Sequence, residues 1–397
     1  MRFFNTLLTS LLVFTLIGCQ TKKDENPNIK QLELYLTIPE AIQTTDFISI
    51  GSNINNWDPS DSLYAMTKID PTSFILKLEI DVSLGSQTIE YKYTIQSIDN
   101  ENPWSKVEKG SNNEEINNRV IKISKDSPKI TKVEDRVLMF NSLSSKSTVI
   151  GNLDLYTLDM TPLNRKRTIR VWTPTSYDPN GTKKYPVLYM QDGQNLFDQY
   201  TSFAGAWGID ESIEALIKDK GIDGFIVVGI DNGGALRMDE YTPNWVDQPT
   251  KEGALYGRFI VEALKPFIDK NYHTLAEKEH TLIGGSSMGG LISFYIGLKH
   301  KDTFGHILAM SSSFQINTQD ARLAFINTLE MNDLPKLYLD SGYPGDNSKY
   351  VDLVKQELLD KGYLETLIFT KKTEGHSHNE KAWQLRFPEA ISWLFNL

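Results

Sequence analysis

Cysteine is nearly absent from this chain: its 397 residues include one, Cys19, so no intrachain disulfide is available. Histidine is almost as scarce, with 6 residues, which leaves few side chains that can act as a base near neutral pH. Positive charge is in deficit. Lys and Arg number 41 against 51 Asp and Glu, a formal net charge of −10, and no basic cluster interrupts that balance. Nucleic acid is thereby excluded as a partner, because affinity for it comes mainly from Lys and Arg on phosphates. Beyond residue 19 no apolar run is long enough to cross a membrane as a helix. Phosphate-cradling chemistry is missing as well: the one glycine-dense turn, 284–290, lacks a following Lys-Ser/Thr and the Gly-x-Gly-x-x-Gly spacing.

What is present is an ordinary globular composition, 40% hydrophobic and 23% charged, in a chain long enough for two domains. The single cysteine draws meaning from its place. Met1-Arg2 is a basic start, residues 7–17 are nearly all apolar, and Leu16-Ile17-Gly18-Cys19 follows. The apolar segment is too short to span a bilayer and reads as an export signal. The tetrapeptide resembles the lipobox of bacterial lipoproteins, which implies loss of residues 1–18, a lipid on Cys19 and a polar tether over 19–28. An exported protein anchored to a bacterial membrane is expected, at the outer membrane or cell surface in preference to the inner membrane.

From residue 29 to about 128, short alternating runs such as Leu32, Leu34, Leu36 and Ile38 are separated by Gly, Asn, Asp and Ser. Period two with turns at this spacing predicts an all-β sandwich. Residues 129–147, charged and Ser-rich, are expected to be a linker. From 148 to 397 apolar strand-like runs alternate with helix-like ones. That alternation predicts an α/β fold, a mostly parallel sheet flanked by helices, with chemistry at the C-terminal ends of its strands.

Gly284-Gly285-Ser286-Ser287-Met288-Gly289-Gly290 lies between an apolar strand-like stub and a helix-like run. Gly285 and Gly289 bracket Ser287, the Gly-x-Ser-x-Gly frame of a nucleophile elbow. A serine hydroxyl needs a base to take its proton, usually a histidine held by a carboxylate. In α/β-hydrolases the chain order is serine, acid, histidine. His273 and His280 precede the serine, and His300 and His306 follow too soon, so Gly375-His376-Ser377-His378 remains. His378, nearer the predicted helix start, is the candidate base, with His376 the alternative; a metal pair is formally open to the two, but no third ligand stands nearby. Asp346, on a Pro-Gly turn, is the candidate acid, with Asp340 the alternative. The backbone amides of Met288 and of Gln194, in the turn after an early strand, are candidate oxyanion donors.

Together with Met190–Asp198, Trp207-Gly208-Ile209-Asp210-Glu211, Gly229–Gly234, and His378-Asn379-Glu380-x-x-Trp383, these residues resemble the esterase D-like family of α/β-hydrolases. That group contains siderophore trilactone esterases, feruloyl and acetyl-xylan esterases and S-formylglutathione hydrolases. The resemblance covers about 148–397 and implies an α/β-hydrolase fold preceded by the small all-β sandwich domain. It implies a serine carboxylic-ester hydrolase with His378 as base, working without a metal or organic cofactor. Trp207, Arg237 and Tyr241 are expected to line the acyl or alcohol pocket. The family's usual His-Gly at the oxyanion turn is Asp192-Gly193 here, which leaves backbone donation intact.

In the N-terminal part, Asn55-Asn56-Trp57-Asp58-Pro59, Glu90-Tyr91-Lys92-Tyr93 and Pro103-Trp104 resemble starch-binding domains. Trp57, Lys92 and Trp104 match the sugar-site positions, where flat rings stack on sugar C–H faces and a charged tip bonds hydroxyls. Carbohydrate esters of acetyl or feruloyl type are therefore the expected substrates. Siderophore trilactones are the alternative, and a non-catalytic glycan-binding surface lipoprotein is the rival from another class.

Overall fold

The computed structural model describes residues 26–97, 103–110, 116–140, 147–199, 201–202, 205–246, 250–316 and 318–397. Cys19, the export signal and most of the tether lie outside the described residues.

The N-terminal strands are β1 (Ile29–Thr37), β2 (Phe47–Ser52), β3 (Thr67–Asp70), β4 (Ser73–Asp81), β5 (Gln87–Gln96), β6 (Glu108–Lys109), β7 (Arg119–Ile123), β8 (Ile130–Arg136) and β9 (Met139–Phe140). Two sheets, ordered β3-β4-β1-β8 and β2-β5-β7, face each other across one core that includes Leu32, Leu34, Ile48, Ile50, Leu76, Tyr91 and Tyr93. Alternate residues of β4 point inward, Phe74, Leu76 and Ile80 among them, as the period-two pattern demands.

The linker expected over 129–147 is corrected here, because β8 pairs in parallel with β1 from Gln31↔Ile130 to Thr37↔Arg136. Its charges belong to the fold. Asp135 of β8 accepts hydrogen bonds from Tyr91 and Tyr93 across the sandwich, at 2.7 and 2.8 Å. Arg119 of β7 then bridges Asp135 at 2.7 Å and Glu108 at 2.8 Å. A charged strand is tolerated at this edge because its inward carboxylate is fully partnered.

Among the described residues the C-terminal part is built on one eight-stranded sheet. Its strands are β10 (Asn152–Met160), β11 (Arg165–Thr173), β12 (Val187–Gln191), β13 (Ile226–Ile230), β14 (Thr281–Ser286), β15 (His306–Met310), β16 (Lys336–Tyr343) and β17 (Ile368–Glu374). They lie in the order β10-β11-β13-β12-β14-β15-β16-β17. β11 pairs antiparallel with both β10 and β13, and the remaining pairs are parallel.

Strict alternation sends Val187, Tyr189, Ile283, Ile307 and Leu337 to one face, under α2 (Arg237–Glu240), α3 (Gly253–Phe259), α4 (Lys265–Asn271), α5 (Met288–Lys299), α6 (Gln319–Asn327) and α7 (Lys349–Lys361). Leu188, Met190, Leu282, Leu308 and Tyr338 go to the other, under α1 (Ile209–Lys220) and α8 (Glu380–Phe395). Such strands are buried on both faces, which is why they read as continuous apolar runs. The fold is that of an α/β-hydrolase preceded by a small β-sandwich.

Candidate active site

Ser287 closes β14 and opens α5, with φ 55° and ψ −125°, a conformation that non-glycine residues adopt only under strain. The surrounding turn holds it there. The Ser287 amide donates to Met310 O at 3.0 Å, and its carbonyl accepts from Leu291 and Ser313 amides at 3.1 Å each. Close approach needs the glycines: a Cβ on Gly285 would stand 2.8 Å from the Gly289 carbonyl carbon, and one on Gly290 would stand 2.4 Å from Ser312 Oγ. α5 behind the serine is buried on every side from Met288 to Leu298.

The candidate acid and base meet above the adjoining strands. His378, in the turn between β17 and α8, places Nδ1 2.5 Å from Asp346 Oδ1. Oδ2 of the same carboxylate accepts from Gly342 N at 2.5 Å and Ser311 Oγ at 2.6 Å. Burial pushes the Asp346 carboxyl up, but bonding and charge from His378, with the Ser311 and Gly342 bonds, outweigh it and hold it below the usual value. An ionised carboxylate only accepts, so Nδ1 carries the imidazole proton and Nε2 keeps a lone pair. The ring of His378 stands edge-on to Trp383 with centroids 5.2 Å apart.

The alternatives separate cleanly. Asp340 is 1% exposed and is held by Arg386 Nε at 2.8 Å and the Ser311 amide at 3.2 Å; burial raises it while Arg386 pulls the other way. The His376 carbonyl packs on Gly342, where a Cβ would lie 2.0 Å from it, and its Nδ1 is buried without a hydrogen-bond partner among the described residues.

The Ser287 hydroxyl takes Ser313 Oγ as its hydrogen-bond partner at 3.2 Å. No hydrogen bond joins it to His378 among the described residues. Nucleophile–base contacts often tighten only around substrate. What ties the two halves together is the loop after β15: Ser313 bonds Ser287, and Ser311, two residues away, bonds Asp346. Sequence reasoning missed both serines, although the run Ser311-Ser312-Ser313 at a parallel strand's C-terminal end was visible.

Met288 is the first residue of α5, and Gln194 lies in the 3₁₀ turn Gly193–Asn195. Amides in a first turn have no partner within their own helix, so neither N–H is used by its own element. The two segments touch, since a Cβ on Gly289 would lie 2.9 Å from Gln191 Cβ and 3.1 Å from Asp192 Oδ2. Asp192, at φ 56°, accepts from Arg237 Nε at 2.7 Å and Nη2 at 2.9 Å, and from Asn232 Nδ2 at 2.7 Å. Asn232 N donates to Gln194 Oε1 at 3.0 Å.

Two of the three expected pocket residues are corrected by their burial. Tyr241 is fully buried, its hydroxyl accepting the Asp192 amide at 3.0 Å. Trp207 is 2% exposed and packed between Trp383 and Phe387. Arg237, a quarter exposed, stacks over the Tyr241 ring and spends two donors on Asp192, so it braces the turn that carries Gln194. In the sandwich, Lys92 is 1% exposed and not offered to solvent. It pairs with Gly51 across β5 and β2, and the Trp104 ring fills the space over Gly51. Trp57 and Trp104 are half-buried.

Comparison with known proteins places the chain in a family. The family model described as Putative esterase matches residues 161–394. The uncharacterized protein YbbA of Bacillus subtilis is 26% identical over 248 residues, covering 58% of this chain and 93% of its own. An endo-1,4-beta-xylanase/feruloyl esterase of Xylanibacter ruminicola is 28% identical over 162 residues, 39% of this chain and 21% of that one. Among solved structures, the enterobactin esterase FES from Shigella flexneri superposes with a TM-score of 0.53 at 14% identity and covers 94% of each chain, a likeness of fold. With its strand order, its serine elbow and a family match over more than half of its length, this chain belongs to the Putative esterase family.

Proposed function

We propose that this esterase cleaves carboxylic esters through an acyl-enzyme on Ser287, and that its substrates are esters of carbohydrates, acetyl or feruloyl in type. The observation that carries the mechanism is the 2.5 Å contact of His378 with Asp346, beside a loop that also bonds Ser287. Nε2 of His378 takes the Ser287 proton as Oγ bonds the ester carbon, and the Met288 and Gln194 amides hold the resulting oxyanion. Collapse breaks the ester bond, and His378 returns the proton to the leaving alcohol. Water, deprotonated by the same histidine, then releases the acid and restores Ser287. Support for carbohydrate esters comes from the similarity to the xylanase/feruloyl esterase.

Ser287→Ala is expected to abolish p-nitrophenyl ester hydrolysis and fluorophosphonate labelling while the far-UV circular dichroism stays unchanged; retained labelling overturns the assignment of Ser287, and a wild-type protein that neither hydrolyses esters nor labels leaves the non-catalytic reading. A second substrate class, siderophore trilactones, is favoured by one observation, the match of an enterobactin esterase to 94% of this chain, sandwich included. Turnover of a ferric trilactone with none of acetylated or feruloylated xylan decides for it. Glycan binding by the sandwich, with Lys92 buried, rests on Trp57 and Trp104; starch or xylan pull-down unaffected by Trp104→Ala removes it. Membrane anchoring through Cys19 predicts that Cys19→Ser releases the protein into the soluble fraction.

A further inference from the structure

Ser311 leaves the end of β15 in left-handed backbone, φ 45°, with its side chain buried. Its hydroxyl has three partners: Asp346 Oδ2 at 2.6 Å, Trp383 Nε1 at 3.0 Å and Arg386 Nη2 at 2.8 Å. Indole and guanidinium nitrogens only donate. Both hydroxyl lone pairs are therefore taken, and its one proton has a single destination, the carboxylate of Asp346. Rotation of the hydroxyl would set its hydrogen against donor hydrogens in a dry interior, so the direction of donation is imposed by the neighbours. Both neighbours belong to α8, the helix that begins just after His378. Arg386 is fixed in turn by Asp340 at 2.8 Å.

We propose that Ser311 is a positioning residue of the reaction: its hydroxyl, turned one way by Trp383 and Arg386, sets the orientation of the Asp346 carboxylate and through it the basicity of His378. The proposal rests on Asp346 and His378 being the acid and base. Oδ2 is held by Ser311 and Gly342, which leaves Oδ1 aimed at Nδ1 of the imidazole. The charged groups facing Asp346 are His378 from the β17–α8 turn and Asp340 from β16, with Arg386 of α8 reaching it through Ser311. The Ser311 bond adds to those that hold Asp346 ionised. Without it the carboxylate both protonates at higher pH and pulls harder on the Nδ1 proton, so both effects raise the pH at which base function is lost.

The test is a pH profile of kcat/KM for wild type, Ser311→Ala, Ser311→Gly, Ser311→Cys and His378→Ala, with Tm for each. Ser311→Gly removes the hydroxyl while relieving the left-handed backbone, so its losses do not come from strain, and it serves if the alanine variant does not fold. Ser311→Ala and Ser311→Gly are expected to lose about 10-fold in kcat with KM unchanged and to shift the acid limb upward by about half a pH unit or more. Ser311→Cys, a weaker donor of similar shape, falls between them and wild type. An acid limb that stays in place in both hydroxyl-free variants overturns the proposal, including the case in which rate and Tm fall together. Full activity of His378→Ala would instead bring down the acid–base reading on which it rests.

Discussion

His378 and Asp346 meet at 2.5 Å across 32 residues of chain, through Nδ1 and Oδ1. The contact depends on two turns at the C-terminal ends of adjacent parallel strands, β16 and β17, which the sheet brings side by side from Leu337↔Ile368 to Tyr343↔Glu374. Neither residue has the other as a neighbour until the sheet has formed.

Asp346→Asn and Asp340→Asn should therefore fail in opposite ways. Losing the Asp346 charge misorients the imidazole, and kcat is expected to drop by about 10³–10⁴ with little change in Tm. Asn at 340 strands the Arg386 guanidinium, which is 2% exposed, at a cost of about 3–5 kcal/mol in stability. Per folded molecule the Asp340→Asn enzyme should keep its rate within about 10-fold. Urea titration beside steady-state kinetics on the two variants checks the pair; an inverted outcome would exchange the two carboxylates.

How far the site could be read beforehand follows from where its information lies. Ser287 was legible because the elbow is local, with glycines on both sides and strand and helix signals around it. The choice of Asp346 over Asp340 was a leaning, since a β16 position and a turn position differ only in what the fold sets against them. Trp207 and Tyr241 were misread for the same reason: an aromatic looks alike in a core and in a pocket until burial is known. β8 escaped notice because its inward positions carry Thr131, Val133 and Asp135, and Asp135 is paired with tyrosines about forty residues upstream, beyond any local pattern. β10 was missed as an edge strand whose residues are mostly exposed or half-exposed.

Arg237 gives a second prediction. If it braces the oxyanion turn through Asp192, Arg237→Ala and Asp192→Ala should each lower kcat by about 10–100-fold with KM nearly constant. The double variant should be scarcely worse than either single one, because the two act as a unit. A rise in KM confined to Arg237→Ala would restore it as a substrate contact.

His306 supplies a pH dependence of stability independent of catalysis. It is 8% exposed, its Nε2 lies 2.9 Å from Glu279 O, and burial above all lowers it to about 4 from 6.5. A base depressed on folding binds fewer protons folded than unfolded. Its contribution is complete above pH 6.5, drains away as pH falls to about 4, and changes no further below. Up to about 3 kcal/mol is at stake. His306→Gln should flatten the dependence of urea midpoint on pH across that window; an unchanged slope would assign the acid lability elsewhere.

Four non-glycine residues of the site stand in backbone with positive φ: Asp192 at 56°, Ser287 at 55°, Ser311 at 45° and Asp346 at 45°. Each is a place where glycine would relax the main chain, and each is a place where glycine would delete a working side chain. Ser287, whose hydroxyl bonds Ser313 alone among the described residues, has the least to lose, so a thermostability screen blind to activity would drift toward glycine there first and enrich for inert protein. Directed evolution of this enzyme therefore needs turnover in its selection from the first round, with hardening sought in the sandwich and along the far ends of the strands.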